Sequence, residues 1–154
     1  MIIIKDIKKW MAILYISEEE YRNSKDYSKY SPNFASSPPF VMYNYIHKPK
    51  VHCVDGFIIS IQGHEGTYSN PRGISKIYET MEIGFPNQKD KIMVDSDDVR
   101  GYVPIQELQD MINRHGGIDA TKSILDVWKY KTSSLKKYLR ELKLENILEI
   151  PKSS

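Results

Sequence analysis

The chain reads as an α+β domain: a small antiparallel sheet with packed helices, an N-terminal helical appendage and a C-terminal helical segment. Three observations predict this class. "YETMEIGF", residues 78 to 85, alternates with the period of a strand. "PIQELQDMINRHGG", residues 104 to 117, carries apolar residues at helical spacing and ends on two glycines. Two further strand-like runs, "FVMYNYI" (40–46) and "VHCVDGFIISIQG" (51–63), supply partners for the first. With 154 residues, 40% of them hydrophobic and 27% charged, the chain is long enough to bury a core of its own.

From the N-terminus, Ile3, Ile7, Trp10, Met11 and Leu14 follow three-to-four spacing and predict a helix from about Asp6 to Tyr15, although "MIII" is equally a strand start. Ser17 and Glu20 have the capping-box spacing, which predicts a second short helix to about Lys25. "DYSKYSPNFASSPP" (26–39) is too rich in Ser, Pro, Tyr and Asn for regular structure and reads as a linker. Residues 1–38 are therefore expected to form an appendage separable from an α+β core at 39–118. Within that core "HKPK" is a turn, Gly56 marks a bend, and alternation in 78–85 places Met81 and Ile83 opposite Thr80 and Glu82. "NQKDKIMVDSDDVRG" reads as a polar connection. Pro104 opens the helix that carries Ile105, Leu108, Met111 and Ile112, because its missing N–H has no helical partner to lose there. Asp119 caps a further helix, and Ser133 or Ser134 starts another, in a basic C-terminal segment at 119–154.

Charge and cysteine usage narrow the chemistry. The net charge is +2, too mild to imply nucleic-acid binding from the average. Basic residues nevertheless gather toward the C-terminus, where Lys131, Lys136, Lys137 and Arg140 make a candidate nucleic-acid or interaction face on a helix pair of helix-turn-helix length. Cys53 is the only cysteine, so an internal disulfide and a cysteine-rich metal site are both excluded. The four histidines make no zinc pattern and "DSDD" (95–98) lacks the later residues of a calcium loop, so no metal and no cofactor is expected. No apolar run reaches the roughly 18 residues of a membrane span, and the N-terminus lacks the order of a secretory signal, which together predict a cytoplasmic protein.

The stretch that concentrates reactive side chains is "SIQGHEGTYSNPRG", residues 60 to 73. It has neither the lysine nor the spacing of a phosphate-binding loop, and no nucleophile motif accompanies it, so no catalytic residue is assigned. Gln62, His64, Tyr68 and Arg72 are the ligand- or partner-binding candidates, expected on one concave edge. Arg72 follows a proline turn and its planar fork suits a carboxylate or phosphate. The competing structural reading pairs it with Glu79 or Glu82.

"IISIQGHEGTYSNPRG", "YETMEIGFPN" and "RGYVPIQELQDMINRHGG" resemble, in order, a group of short phage and prophage proteins that carry VQA, YCSPR, VEVGFPS, YGYVP and HGG segments. The resemblance spans about residues 56 to 117 and leaves both ends outside it. Gln62 stands at the group's glutamine, Tyr68, Pro71 and Arg72 at its YCSPR positions, Glu82, Gly84, Phe85 and Pro86 in its strand motif, and Tyr102, Val103 and Pro104 at its helix entry. Gly63 replaces the usual alanine, and Ser69 and Asn70 replace cysteine and serine. The resemblance implies a phage accessory protein that binds rather than catalyses, in the cytoplasm of an infected bacterium. Its expected partner is a host immune effector such as a CRISPR nuclease, inhibited by stoichiometric contact through exposed aromatic and charged residues of the two terminal segments, many of the chain's 11 tyrosines lying between Tyr21 and Tyr45. The alternatives are a sponge for a cyclic nucleotide signal, similar to the Thoeris anti-defence type and compatible with a homo-oligomer, and a small nucleic-acid-binding regulator. An enzyme using His64 and Glu65 as acid and base is the remaining class, and nothing else in the sequence completes its site.

Overall fold

In a computed structural model, which describes residues 1–23, 47–93, 98–125 and 140–141, the chain has an α+β fold. The elements run β1 (Ile3–Ile4), α1 (Ile7–Arg22), β2 (Val51–His52), β3 (Ile58–Gln62), β4 (Thr80–Gly84), β5 (Val99–Pro104), α2 (Ile105–Arg114), β6 (Ile118–Asp119) and α3 (Ala120–Leu125). Strands β2-β3-β4-β5 form an antiparallel sheet in sequence order, with β4 inside it, and β1 pairs antiparallel with β6. A bridge between Cys53 and Ile118 joins the two sheets.

Alternation builds the four-stranded sheet. Ile59, Ile61, Met81, Ile83 and Val103 are buried with Trp10, Leu14, Leu108, Met111 and Ile112 in one hydrophobic cluster, while Ser60, Gln62 and Glu82 occupy the other face. Helix α2 runs as the sequence predicts: Pro104 precedes its first residue, Leu108, Met111 and Ile112 form its buried stripe, and Gly116 and Gly117 reverse the chain at positive φ. Asp119 accepts the Lys122 N–H at 3.1 Å and caps α3 as expected. Gly56, also at positive φ, closes the β2–β3 turn.

Three expectations are corrected. The capping-box spacing of Ser17 and Glu20 starts no new helix, because α1 continues through it to Arg22. The N-terminus of α1 is capped by Asp6, whose carboxylate accepts the Lys8 N–H at 2.8 Å. The described N-terminal residues are no separable appendage. Ile2, Ile4, Ile7, Trp10, Met11 and Leu14 belong to the central cluster, and Gln109 of α2 accepts the Ile7 N–H at 2.9 Å while donating to the Lys5 carbonyl. An amphipathic stripe that large has to be buried against something, and α1 buries it against the sheet and α2. Finally, "VRGYVP" within the supposed connection and helix entry is strand β5, whose bulge opposite Met81 and Ile83 breaks the alternation that would reveal it. The boundary at 38 and the strand at 40–46 lie outside the described residues, and of the helix expected from 133 only Arg140 and Glu141 are described, both helical.

The end of α2 is held by charge. His115 stacks on Phe57 at 4.0 Å and its two ring nitrogens face carboxylates, Asp55 at 2.7 Å and Asp90 at 2.6 Å, while Arg114 also reaches Asp90 at 2.7 Å. Burial opposes ionisation of Asp90, but Arg114, the Ile92 N–H and His115 outweigh it and hold its carboxyl at about 2.

A pinned loop with an aromatic rim

Residues 63–73 leave the end of β3 and return toward β4 as a compact loop whose two ends are held together. Tyr78 does the holding. Its hydroxyl lies 2.8 Å from the Gly63 carbonyl and 2.7 Å from the Gly73 carbonyl and accepts the Ser75 N–H at 2.9 Å. Its ring rests on Gly63, where a Cβ would overlap it, so glycine rather than the alanine of the resembled pattern fits here. The middle of the loop is tied to the sheet: Asn70 exchanges backbone hydrogen bonds with Thr80, and the Tyr68 N–H donates to Glu82 at 2.8 Å.

The four candidates divide into two pairs, so the single concave edge expected for them does not form. Gln62 and His64 are buried. The Gln62 amide behaves as a strand would toward Lys48, accepting its N–H at 2.7 Å and donating to its carbonyl at 2.8 Å. His64 accepts the Gly66 N–H at its Nδ1, 3.0 Å away, and its ring meets His47 edge-on. Burial, with the charges of His47 and Lys48, pushes the His64 pKa down to about 3, and it is neutral at physiological pH. Glu65 faces outward and pairs with Arg22 of α1 at 3.0 Å. A histidine held neutral inside and a carboxylate paired outside form no acid–base couple.

Below the loop lies a polar interior that the sequence reading missed. Lys48 and Glu18, both almost fully inaccessible, form an ion pair, and the Lys48 ammonium sits 5.4 Å from the centre of the Tyr78 ring. Burial pushes the Glu18 carboxyl up and the Lys48 ammonium down, and each partner's charge holds against that shift. The only sequence signal was Glu18 falling on the apolar stripe of α1, four residues after Leu14.

Tyr68 and Arg72 point the other way. Tyr68 is 56% exposed and lies across β5 at Gly101, where a Cβ would come within 2.6 Å of its own. Its ring is 5.9 Å from that of Tyr102, itself 54% exposed and held at φ 53°, and the Arg72 guanidinium is 5.7 Å from the Tyr68 ring centre. Arg72 pairs with neither Glu79 nor Glu82, which bind Asn70 and the Tyr68 N–H; its Nε donates to the Glu65 carbonyl at 3.2 Å. Two tyrosines and an arginine thus share one exposed rim, and Tyr102 is the member that the sequence does not single out as a binding residue. The sequence placed it at a helix entry, and only the strand pairing of β4 with β5 brings it beside Tyr68.

Of the basic-face candidates Arg140 is exposed, and Lys131, Lys136 and Lys137 lie outside the described residues. Cys53 is buried, its thiol pushed up to about 12 by burial and by the charges of Asp55 and Asp90. Among the described residues no cluster of His, Cys, Asp or Glu could hold a metal ion, and no helix is long and apolar enough to cross a membrane. No family model, curated protein or solved structure matches the chain.

Proposed function

We propose that the protein works by stoichiometric binding to a protein partner through the Tyr68–Arg72–Tyr102 rim. The observation that carries the reading is Tyr102: a bulky residue held in the left-handed region, where non-glycine backbone costs of order 1–3 kcal/mol, with its ring left in solvent beside a second tyrosine. The bulge of β5 sets that backbone, and the Tyr102 N–H donates to the Tyr68 carbonyl at 2.9 Å, so the irregularity of the strand turns the ring outward beside Tyr68, the pattern of a residue placed for contact. Tyrosine and arginine are the side chains that dominate binding energy at protein interfaces, because they combine a large apolar area with a directed polar group. The phage resemblance supplies the class of partner, a host immune effector such as a CRISPR nuclease.

The same rim supports the cyclic nucleotide sponge as a second reading, since a ring pair offers stacking and the guanidinium a phosphate contact. Plaque counts separate the two. In a host defended by a CRISPR nuclease, expression of the protein should restore phage plaquing, and the Arg72→Ala/Tyr102→Ala double variant should lose that effect with its melting temperature within a few degrees of the parent. Protection confined to a host whose defence signals through a cyclic nucleotide would favour the sponge. Absence of protection in both hosts would remove the anti-defence reading.

A further inference from the structure

Away from the rim, a cleft of about 280 Å³ opens between α1, the segment 76–78 before β4, and the start of α2. Ile7, Met11 and Tyr78 form part of its lining, each at most 5% exposed, while Ile77 is 74% exposed at the same cleft. Ala12 of α1 keeps it open, being the smallest side chain on the lining. Two lysines also line the cleft, Lys8 on α1 and Lys76 on the facing segment. Both residues are exposed, and neither ammonium pairs with a carboxylate among the described residues, the Asp6 carboxylate being bonded to the Lys8 backbone N–H instead.

An exposed isoleucine over an apolar hollow is a standing cost in water, of the order of 25 cal/mol for each Å² left uncovered. Two cations beside the same hollow, with no carboxylate on either ammonium among the described residues, attract an anion. An occupant that answers both features has an aliphatic body and one terminal negative charge. From this juxtaposition we infer that the cleft is a binding site for a short-chain aliphatic carboxylate, the chain against Ile7, Met11, Ile77 and Ile105 and the carboxylate between Lys8 and Lys76. The volume is at the lower edge of small-molecule pockets, which run from roughly 300 Å³ upward, so a single unbranched chain fits better than a ring system. The inference does not depend on the rim or on the anti-defence reading.

Sodium decanoate titrated into the full-length protein with labelled isoleucine methyls tests it. Saturable shifts are expected at Ile7, Ile77 and Ile105, weakened by added salt because the two lysines are solvent-exposed. Decanol, which has the chain without the charge, should bind about tenfold or more weakly, and acetate, which has the charge without the chain, should give no saturable shift. The surface variant Lys8→Glu/Lys76→Glu should reduce decanoate affinity by at least about tenfold while leaving the melting temperature near the parent's. Ala12→Phe should block the shifts by filling the hollow. Equal affinity for decanol and decanoate, undiminished binding to the lysine double variant, or no saturable shift at these isoleucines would each overturn the proposal.

Discussion

The inner and outer sides of the 63–73 loop draw on the same kinds of side chain and use them in opposite ways. Inside, Gln62 and His64 spend their polar atoms on backbone groups, next to a buried Lys48–Glu18 pair. Outside, Tyr68, Arg72 and Tyr102 leave much of their surface in solvent. Reactive residue types crowded into one stretch therefore do not make one site. A loop that crosses from core to surface within a few residues divides them, and burial decides which ones hold the fold and which remain open to a partner.

The inner side should be where substitution hurts most. Lys48→Met strands Glu18 in the interior, and removing one member of a buried pair ordinarily costs about 3–5 kcal/mol. Denaturant unfolding should show a loss of that size, and Glu18→Leu combined with Lys48→Met should recover much of it. If the single variant unfolds at the parent's midpoint, the pair is not buried as described. Tyr78→Phe comes next, because it leaves carbonyls of Gly63 and Gly73 and the Ser75 N–H without their shared partner, at about 1–3 kcal/mol. Hydrogen exchange should rise across residues 63–73 and not in α2; uniform exchange would mean that Tyr78 does not pin the loop.

An acid titration sharpens the comparison with a region outside the loop altogether. The Asp90 carboxyl lies at about 2 in the fold against an ordinary 3.8, so its ionised form contributes stability that is present above about pH 4 and lost as pH falls toward 2. Stability should decline over that window, and Asp90→Asn should flatten the decline. His64 behaves differently. Its folded pKa of about 3 lies below the ordinary 6.5, so its burial favours the neutral fold above that upper value and opposes folding as pH falls from about 6.5 toward 3. His64→Gln should remove the part of the pH dependence that falls above pH 4.

On the outer side the expected stability effects are smallest and the binding effects largest. Arg72→Ala should change stability by no more than about 0.5 kcal/mol, as exposed positions usually do. Tyr102→Gly relieves a left-handed backbone and should leave the melting temperature unchanged or raise it, while abolishing partner binding. A Tyr102→Gly variant that keeps full binding would place the recognition surface elsewhere.

Residue order by itself determined the α+β class, helix α2 with its proline entry and glycine exit, the alternation within β4, and the Asp119 cap. Each is set by interactions among residues a few positions apart, so period and capping chemistry are visible in the chain. It also singled out the loop. Tertiary structure decided the rest. Helix α1 became part of the core because it meets the sheet and Gln109, the latter 102 residues from Ile7, and β5 was hidden by a bulge that local alternation cannot register. The division of the loop into a buried half and an exposed half rests on contacts from Lys48, Tyr78 and Gly101, none of them in the loop's own sequence. Which side of a loop faces water is a property of what packs beneath it, and that is settled only when distant segments meet.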